Sequence, residues 1–378
     1  MMKVAEVLNI LNKEIIPSVQ WKNDPSGLLI GNKDAVVSKI LTALNPSLEV
    51  AKEAKKKGCN LIVSHHPLFK KPVNSLVEGY YYSDIIRFLI KNDIALISCH
   101  TNYDLNINGV SFLLAKEIGL TNVKPLIPIK EIKDIEINEL YKICIYCPSE
   151  SAEKIKTAID NADGAAIGKY DHCYFSYSGE GNFRPGDGAN PYIGKRGKIE
   201  KIKEIKIETV VSDWNKDKIL KAVKAAHPYE EPVIDFYPLD NNSDNFGLGA
   251  IGDLKKKITL KELCKKVSEK LGTDTLRVAV KDEKKKISKI AVCGGSGAGC
   301  WIDAYKNGAD VFLTSEFNHH LYQEASYYIN VIDATHHSTE QFAKKGLKDY
   351  LESNIGEETK IEESKNDKDI VKNLSELN

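Results

Sequence analysis

Two adjacent histidines follow a short apolar run in the first quarter of the chain. Residues 61–63 predict a buried strand, Ser64 separates them from His65 and His66, and Pro67 keeps His66 extended. Because side chains alternate across a strand, the two imidazoles cannot both pack in a core there. Beyond the strand, their ring nitrogens could bind one metal ion or two neighbouring ions. Alternatively, one imidazole is buried and hydrogen-bonded while the other is exposed.

Two further predicted strands end in residues of the same kind. The apolar run 94–98 leads to His100 and Asp104, and a strand near the end of the chain leads to His336 and Glu340. Since the carboxyl ends of parallel strands share one edge of an open α/β sheet, residues far apart in sequence can meet there. We therefore expect these side chains to lie near the histidine pair.

The helix after the last of these strands is predicted to begin near Ser338. Ser338 and Gln341 have the spacing of a capping box. His336 would then lie in the preceding loop, and Glu340 in the first turn, where the helix dipole favours a charged carboxylate. The alternative is a capped helix with an exposed glutamate and a hydrogen-bonded histidine.

Taken together, the three strand ends indicate a metal centre. Their imidazoles and carboxylates, without a nearby set of cysteines, favour a catalytic site over structural zinc. Such ligands suit Zn²⁺, Mn²⁺, Fe²⁺ or Co²⁺. Their number exceeds what one ion needs, so we predict two divalent metal ions per chain, about 3.5–4 Å apart and bridged by a carboxylate. Such a pair activates water and polarises the group under attack.

The elements that would position these residues indicate an α/β fold with an interrupted core. Strand-like and helical patterns alternate over 1–130 and return over 243–354, next to a loop-like stretch at 240–252. Between them, 131–242 contains two strand–helix–strand units, which predict a ferredoxin-like α+β insert. Residues 355–378 are highly charged and weakly periodic, which predicts an exposed or partly disordered tail.

Composition narrows the class of protein. Lys+Arg and Asp+Glu are equal at 53 each, which argues against a protein built mainly to bind nucleic acid. No apolar stretch approaches the ~20 residues of a membrane helix, and the first residues lack the core of a signal peptide. Eight cysteines in a chain of 378 residues are read as reduced thiols. We therefore predict a cytoplasmic protein with no membrane association.

A glycine-rich segment, residues 293–299, follows a predicted strand and opens a helix. Its backbone amides could hold a phosphate at the helix N-terminus. The segment matches neither a Walker loop nor the dinucleotide fingerprint, so tight packing of strand against helix is the favoured interpretation.

These motifs resemble those of the Nif-three-like dinuclear-metal family, whose members are commonly named GTP cyclohydrolase 1 type 2 homologues. The resemblance covers nearly the whole chain, and the order and spacing of the motifs make it specific. It rests on WKNDPSGLLIG, SHHPLFKK, HTNYDLN, GEGNFRPGDGANPYIG, AHPYEEPVIDFYPL, AVCGGSGAG and HHSTEQ.

The resemblance implies a set of metal ligands, namely His65, His66, Asp104, His336 and Glu340. Within that set Glu340 would be the bridge, and His100 would be an acid/base residue. Weaker candidates for the same site are His337, Glu316 and His319. The chain also departs from the family pattern, because Asn45 stands where an aspartate is common. That change removes a carboxylate near the ligands and bears on metal preference.

The resemblance also implies an assembly, a PII/CutA-like insert within a homohexameric ring whose metal pairs face an internal cavity. The predicted function is a dinuclear metallohydrolase acting on a small, nucleotide-like substrate such as GTP, with His100 moving protons. The alternative is a hexameric metal-containing scaffold that binds a partner or effector through the insert, with little catalysis. A phosphoesterase acting on nucleic acid inside the ring is disfavoured by the neutral net charge.

Overall fold

The computed structural model describes residues 2–135, 140–241 and 245–371, and the chain divides into two compact units. The core unit is built from Met1–Ile135 together with Asp244–Asn378, and the insert unit is built from Glu136–Ser243. Helices and strands alternate in the core unit, which confirms the predicted α/β class. Within the described residues, no helix is long and apolar enough to cross a membrane.

The elements follow one another in three groups. The first part of the core unit contains α1 Val4–Glu14, β1 Gly27–Ile30, β2 Lys39–Ala43, α2 Leu48–Lys57, β3 Leu61–Ser64, α3 Tyr81–Lys91, β4 Ala95–Ser98, α4 Thr101–Asp104, α5 Val110–Glu117 and β5 Thr121–Pro128. The insert unit contains β6 Leu140–Pro148, α6 Ala152–Asp160, β7 Phe175–Phe183, β8 Glu200–Ser212, α7 Lys216–Ala226 and β9 Ile234–Pro238. The core unit resumes with β10 Gly247–Ile258, α8 Leu260–Leu271, β11 Arg277–Ala279, β12 Ile287–Val292, α9 Trp301–Lys306, β13 Val311–Thr314, α10 His319–Tyr328, β14 Asn330–Asp333, α11 His336–Glu340, α12 Phe342–Asn354 and β15 Lys360–Glu363.

The core unit contains two sheets whose central strands are parallel. One sheet has the order β1-β4-β3-β2-β15, with only β1 antiparallel to its neighbour. The other has the order β11-β14-β13-β12-β10-β5, in which β12, β13 and β14 are parallel. Strands β3, β4, β13 and β14 are buried along their whole length. Such continuous apolar runs are typical of parallel strands covered on both faces.

Helices α5 and α12 link the hydrophobic packing of the two sheets. Val110 of α5 packs with residues of the first sheet, whereas Leu114, one turn later, packs with residues of the second. In α12, Ala343 belongs to the first cluster and the neighbouring Phe342 packs against the second. Because both helices contact both clusters, the strand ends of the two sheets are held in a fixed relation.

The insert unit has one antiparallel sheet of order β7-β8-β6-β9. Its elements run strand, helix, strand, strand, helix, strand along the chain. Ile155 and Ile159 of α6, together with Ile219 and Val223 of α7, are fully buried in the hydrophobic cluster of this unit. The insert therefore has a hydrophobic core of its own.

The stretch predicted as a loop at 240–252 is partly a strand. Residues 247–258 form β10, which pairs with both β5 and β12 inside the second sheet. A Cβ at Gly247 would lie 2.6 Å from the Cβ of Pro125, so glycine here permits a close strand contact. The loop prediction is wrong for this part because glycine was taken as a turn signal, and residues 242–244 lie outside the described residues.

The segment after α12 also differs from the prediction of an exposed tail. Its strand β15 pairs in parallel with β2 at the edge of the first sheet. Ile361 and Asp367 are buried, at 6% and 5% exposure. The high charge of the segment obscured two buried apolar side chains, Ile355 and Ile361, and a carboxylate that accepts backbone N–H groups. The tail prediction is therefore wrong as far as Asp369, and residues 372–378 lie outside the described part of the chain.

Candidate metal centre

The carboxyl ends of strands from both core sheets open into a cavity of about 580 Å³. Residues after β3 and β4 of the first sheet and after β12 and β14 of the second line it. The predicted site residues that line this cavity are His66, His100, Asp104, His336 and Glu340. His65 lies beneath them, with no exposed surface.

Three overlapping groups of side chains converge here, each with ligand atoms within 4.8 Å of one another. They are His65, His66 and His100; His66, His336 and Glu340; and His65, Asp104 and Glu340. Glu340 belongs to two of the groups. Its Oε1 lies 3.9 Å from Nε2 of His65, and its Oε2 lies 3.0 Å from Nε2 of His66. The Glu340 carboxylate thus presents one oxygen to each of the two adjacent histidines.

Backbone pairing fixes the histidine pair at the end of β3. The amides of His65 and His66 donate to the carbonyls of Ala43 and Leu44, at 3.0 and 2.8 Å, so the pairing with the β2 chain continues past the strand. The two rings lie side by side, with centroids 4.8 Å apart, and His66 lines the cavity while His65 lies beneath it. Two adjacent histidines can therefore lie at the same centre here, whereas within a strand their side chains would point to opposite faces.

Helix α11 begins earlier than the capping-box spacing predicted. Its N-cap is Thr335, whose hydroxyl accepts from the amide of Ser338 at 3.2 Å. Threonine caps helices almost as well as serine, so the Ser338–Gln341 spacing was a misleading signal. His336 and Glu340 consequently lie one turn apart on the same helical face, with His336 Nε2 2.9 Å from Glu340 Oε2.

All four imidazoles of the cavity are held through Nδ1. The acceptors are the Cys99 carbonyl for His65 at 2.9 Å, Asn45 Oδ1 for His66 at 2.8 Å, Asp24 Oδ1 for His100 at 2.7 Å and Glu316 Oε1 for His336 at 2.7 Å. Carbonyl and carboxylate oxygens only accept, so the network assigns the proton to Nδ1. Nε2 is then the ring nitrogen that can offer a lone pair to a metal ion, the arrangement found behind metal-binding histidines.

Two buried atoms at the centre are left without hydrogen bonds within the described residues. They are Nε2 of His65 and Oε2 of Glu340. Oε2 lies close to two imidazoles, but neither contact has the geometry of a hydrogen bond. Buried polar atoms without partners are costly, whereas a cation between them would satisfy both. The donor set of imidazole nitrogens and carboxylate oxygens therefore fits a divalent transition metal.

The electrostatics of the centre favour added positive charge. Burial, and then the neighbouring His66, lowers the pKa of His65 to about 3, so this imidazole is neutral. Burial, and then the nearby Glu340, raises the pKa of Asp104 well above its usual value. Two carboxyl groups this close repel each other when both are ionised, and a cation between them relieves that repulsion.

The outer side of the centre is more strongly ion-paired. Burial opposes the charged form of His336, but its contacts with Glu340 and Glu316 outweigh it and raise its pKa to about 9. Burial likewise opposes ionisation of Glu340, but its contacts with His336 and His66 hold its pKa well below the usual value. A metal ion must therefore displace a proton from this side of the centre.

His100 forms a pair that the sequence reasoning missed. Asp24 accepts from His100 and also from the amide and hydroxyl of Thr101, at 3.1 and 2.7 Å. Burial opposes ionisation of Asp24, but these bonds outweigh it and lower its pKa to about 2. The only sequence signal was its place in the WKNDPSGLLIG motif, 76 residues before His100.

The glycine-rich segment 293–299 lies against the ligand atoms. Gly295 has φ +63°, and a Cβ there would collide with Oε1 of Glu340 and come within 3.2 Å of His336. Ser296, the next residue, donates to Glu316, the carboxylate that holds His336. Close approach to the centre thus accounts for glycine at 295, which is a different reason from the predicted packing of strand against helix.

The three weaker candidates have different positions. Glu316 contacts His336 directly, at φ +66° in the turn after β13. The buried Nε2 of His337 has no hydrogen-bond partner among the described residues. His319 is the first residue of α10 and belongs to none of the three converging groups.

Comparison with known proteins agrees with the motifs. The sequence model of DUF34/NIF3 (NGG1p interacting factor 3) matches residues 2–369. A GTP cyclohydrolase 1 type 2 homolog of Halalkalibacterium halodurans is 35% identical over 355 residues, and one of Staphylococcus aureus is 38% identical over 351; each match covers 93% of both chains. The crystal structure of a Bacillus cereus protein related to NIF3 superimposes with a TM-score of 0.84 at 32% identity, covering 96% of this chain and 97% of that one. This chain is therefore a member of the DUF34/NIF3 family.

Proposed function

We propose that this protein binds two divalent transition-metal ions in its core unit and is a metal-dependent hydrolase. One observation carries the proposal. Several imidazoles, each hydrogen-bonded through Nδ1, converge on one buried carboxylate, that of Glu340. His65 and Asp104 lie on one side of Glu340, and His66 and His336 lie on the other. Each side supplies three ligands when Glu340 is counted twice. Three protein ligands with open positions are typical of catalytic metals rather than structural ones.

In this proposal the metal ions and the side chains have different chemical roles. Zn²⁺, Mn²⁺, Fe²⁺ or Co²⁺ ions would supply Lewis-acid activation of water and of the group under attack. His100 lies beside the ligands, its ring centroid 5.4 Å from that of His65, and is the residue we propose to move protons. Asp24 holds Nδ1 of His100, which leaves Nε2 as the atom that takes up and releases a proton. The charged Asp24 also stabilises the imidazolium that forms.

We propose a small substrate with a planar ring and an anionic group, as in a nucleotide. The relatives are named GTP cyclohydrolase 1 type 2 homologs, and the cavity walls are compatible with that chemistry. Tyr81 and Tyr82 line the cavity and offer ring faces for stacking, and Lys70 offers a cation for a phosphate. Recognition of guanine itself stays a prediction.

For the insert we propose a ferredoxin-like fold of PII/CutA type. Two features support the proposal, namely the strand–helix–strand–strand–helix–strand order and the antiparallel sheet order β7-β8-β6-β9. The homohexameric ring and the cytoplasmic location stay predictions. An effector or partner of the insert would add regulation to the core chemistry.

Metal analysis followed by a substrate panel tests the proposal. Purified protein should contain close to two transition-metal ions per chain, and the loaded protein should hydrolyse at least one compound among GTP, other nucleotides and simple phosphoesters. Glu340→Gln should abolish both metal content and turnover, while Glu352→Gln, an exposed substitution on α12, should change neither. Absence of metal contradicts the proposed centre. Full metal content with no turnover across the panel contradicts the hydrolase and supports the scaffold.

A further inference from the structure

We propose that Asp367, near the end of the chain, is a positioning residue that sets His66 for metal binding by acting through Asn45. The inference rests on the proposed metal centre, and it assigns a function to the segment that composition indicated to be an exposed tail. We call residues 360–369 the C-terminal segment. Its hydrogen bonds reach Asn45, which contacts His66, and Thr335, the N-cap of α11.

The C-terminal segment is anchored along its length. After β15, the amide of Ser364 continues the pairing by donating to the Thr42 carbonyl at 2.8 Å. The buried Glu53 of α2 then accepts from the Ser364 hydroxyl at 2.7 Å and from the amides of Lys365 and Asn366, each at 3.0 Å. These contacts carry the chain across the end of β2, where the histidine pair is held.

Asp367 reaches the residues that lie between β2 and α2. Its carboxylate, 5% exposed, accepts from the amides of Leu44 and Asn45. It also accepts from the side-chain amide of Asn45, with Nδ2 3.1 Å from Asp367 Oδ1. An ionised carboxylate has no proton to donate, so the Asn45 side chain must present its NH₂ group to Asp367.

The orientation of Asn45 in turn decides the protonation of His66. With Nδ2 committed to Asp367, Asn45 presents Oδ1 to His66 Nδ1, 2.8 Å away. An oxygen can only accept, so His66 must carry its proton on Nδ1 and keep the lone pair on Nε2. Nε2 is the atom that faces Glu340. Asp367 therefore holds His66 in the tautomer that can bind metal by acting through the Asn45 side chain.

The same segment contacts the other side of the centre. Asp369 accepts from the hydroxyl of Thr335 at 2.7 Å, and that hydroxyl also caps α11. Helix α11 carries His336 and Glu340. One short segment thus supports both the end of β2, whose carbonyls hold the histidine pair, and the start of α11, which carries His336 and Glu340.

We call the hydrogen-bonded series Asp367–Asn45–His66 the relay. Exchanging the amide of Asn45 with the carboxylate of Asp367 tests the relay without changing its shape or its total charge. In the first half of the exchange, Asp367→Asn, the new amide would keep its oxygen on the backbone N–H groups and turn its NH₂ towards Asn45. Asn45 would then present NH₂ to His66, forcing the proton onto Nε2. We expect the affinity for one of the two metal ions to fall about 10–100-fold, the usual effect of losing a group behind a metal ligand.

The double variant Asn45→Asp with Asp367→Asn should restore the affinity, because the carboxylate introduced at position 45 can only accept from both neighbours. Ser364→Ala is the matched control in the same segment. It removes one bond to Glu53, leaves the relay intact and should bind metal as the wild type does. Affinities are measured by competition of Zn²⁺ with a chelator, on protein first stripped of metal.

A second readout does not depend on metal. In metal-free protein labelled with ¹⁵N-histidine, the NMR signals of His66, assigned with a His66→Gln variant, should report a proton on Nδ1 in the wild type and on Nε2 in Asp367→Asn. The double exchange should return the proton to Nδ1. Equal tautomers and equal affinities in the wild type and Asp367→Asn overturn the relay. Wild-type protein that binds no Zn²⁺ overturns the proposed metal centre instead, while the NMR comparison still decides the relay.

Discussion

The two sides of the candidate metal centre differ in how deeply their histidines are buried. On the inner side, the side chain of His65 has no exposed surface and that of Asp104 is 19% exposed. On the outer side, the side chain of His66 is 18% exposed and that of His336 is 34% exposed. Glu340 is common to both and is 5% exposed. In the proposed centre, the inner ion would be bound by one fully enclosed imidazole, and the outer ion by two imidazoles that are partly open to the cavity.

The groups behind the ligands differ in the same way. His65 is held by a main-chain carbonyl, that of Cys99, whereas His66 and His336 are held by the side chains of Asn45 and Glu316. Main-chain support does not vary with sequence, but side-chain support can be altered by a single substitution. We infer that the fold sets the inner position. At the outer position, substitution of the supporting side chains can change metal affinity and access.

The largest expected effect comes from the residue that the two sides share. Glu340→Gln should remove both ions, because each side loses a charged oxygen and the amide NH₂ opposes any cation. The loss of affinity should exceed the roughly 10–100-fold that follows loss of an outer contact. Metal content after dialysis measures it. Retention of one tightly bound ion would show that Glu340 serves only one side.

Substitutions on each side should separate the two positions. His336→Ala should leave about one ion per chain, held on the inner side. His65→Ala should remove the inner ion and also destabilise the metal-free protein by about 1–3 kcal/mol, because His65 is completely buried. Metal content and denaturant unfolding are measured on both variants. Identical outcomes for the two would contradict the inner and outer distinction.

Asp24→Asn should affect turnover without affecting metal content. His100 would lose the carboxylate that holds Nδ1 and stabilises its charged form, so the rate should fall about 10²-fold or more. Metal analysis of the same preparation is the control. A lowered metal content in this variant would place His100 among the ligands rather than at a proton-transfer step.

The smallest effect concerns Glu53, which anchors the C-terminal segment. Burial opposes ionisation of Glu53, but bonds from Lys57 and from the C-terminal segment outweigh it and lower its pKa to about 2. The stabilisation is therefore present above the ordinary value of 4.5 and is lost as the pH falls towards 2. Glu53→Gln should cost roughly 1–2 kcal/mol of unfolding free energy at pH 6, and the difference from wild type should shrink on acidification. A difference that is constant with pH would contradict this account.

Strand periodicity and strand ends predict part of the grouping of histidines. The apolar run 61–63 predicts where His65 and His66 leave the sheet, and the rule on parallel strand ends brings in His100 from the neighbouring strand β4. His336 follows β14 of the other sheet, so its approach depends on the packing of the two sheets and not on a shared edge. Local patterns were weaker where two signals competed, as at Thr335 and Ser338 for the start of α11.

The groups behind the ligands could not be predicted by the same reasoning. Asp24 contacts His100 across 76 residues, and Asp367 contacts Asn45 across 322. Nothing local distinguishes such carboxylates from solvated ones, since their role is created only by tertiary contacts. The same holds for β15, a four-residue strand with one buried side chain within a charged segment.

The central claim is that Glu340 joins two metal ions, and anomalous diffraction from crystals grown with Mn²⁺ or Zn²⁺ tests it most directly. The account predicts two anomalous peaks per chain, about 3.5–4 Å apart, with one oxygen of Glu340 directed at each. The inner peak should lie against His65 and Asp104, and the outer peak against His66 and His336. A single peak, or peaks away from Glu340, would contradict the account.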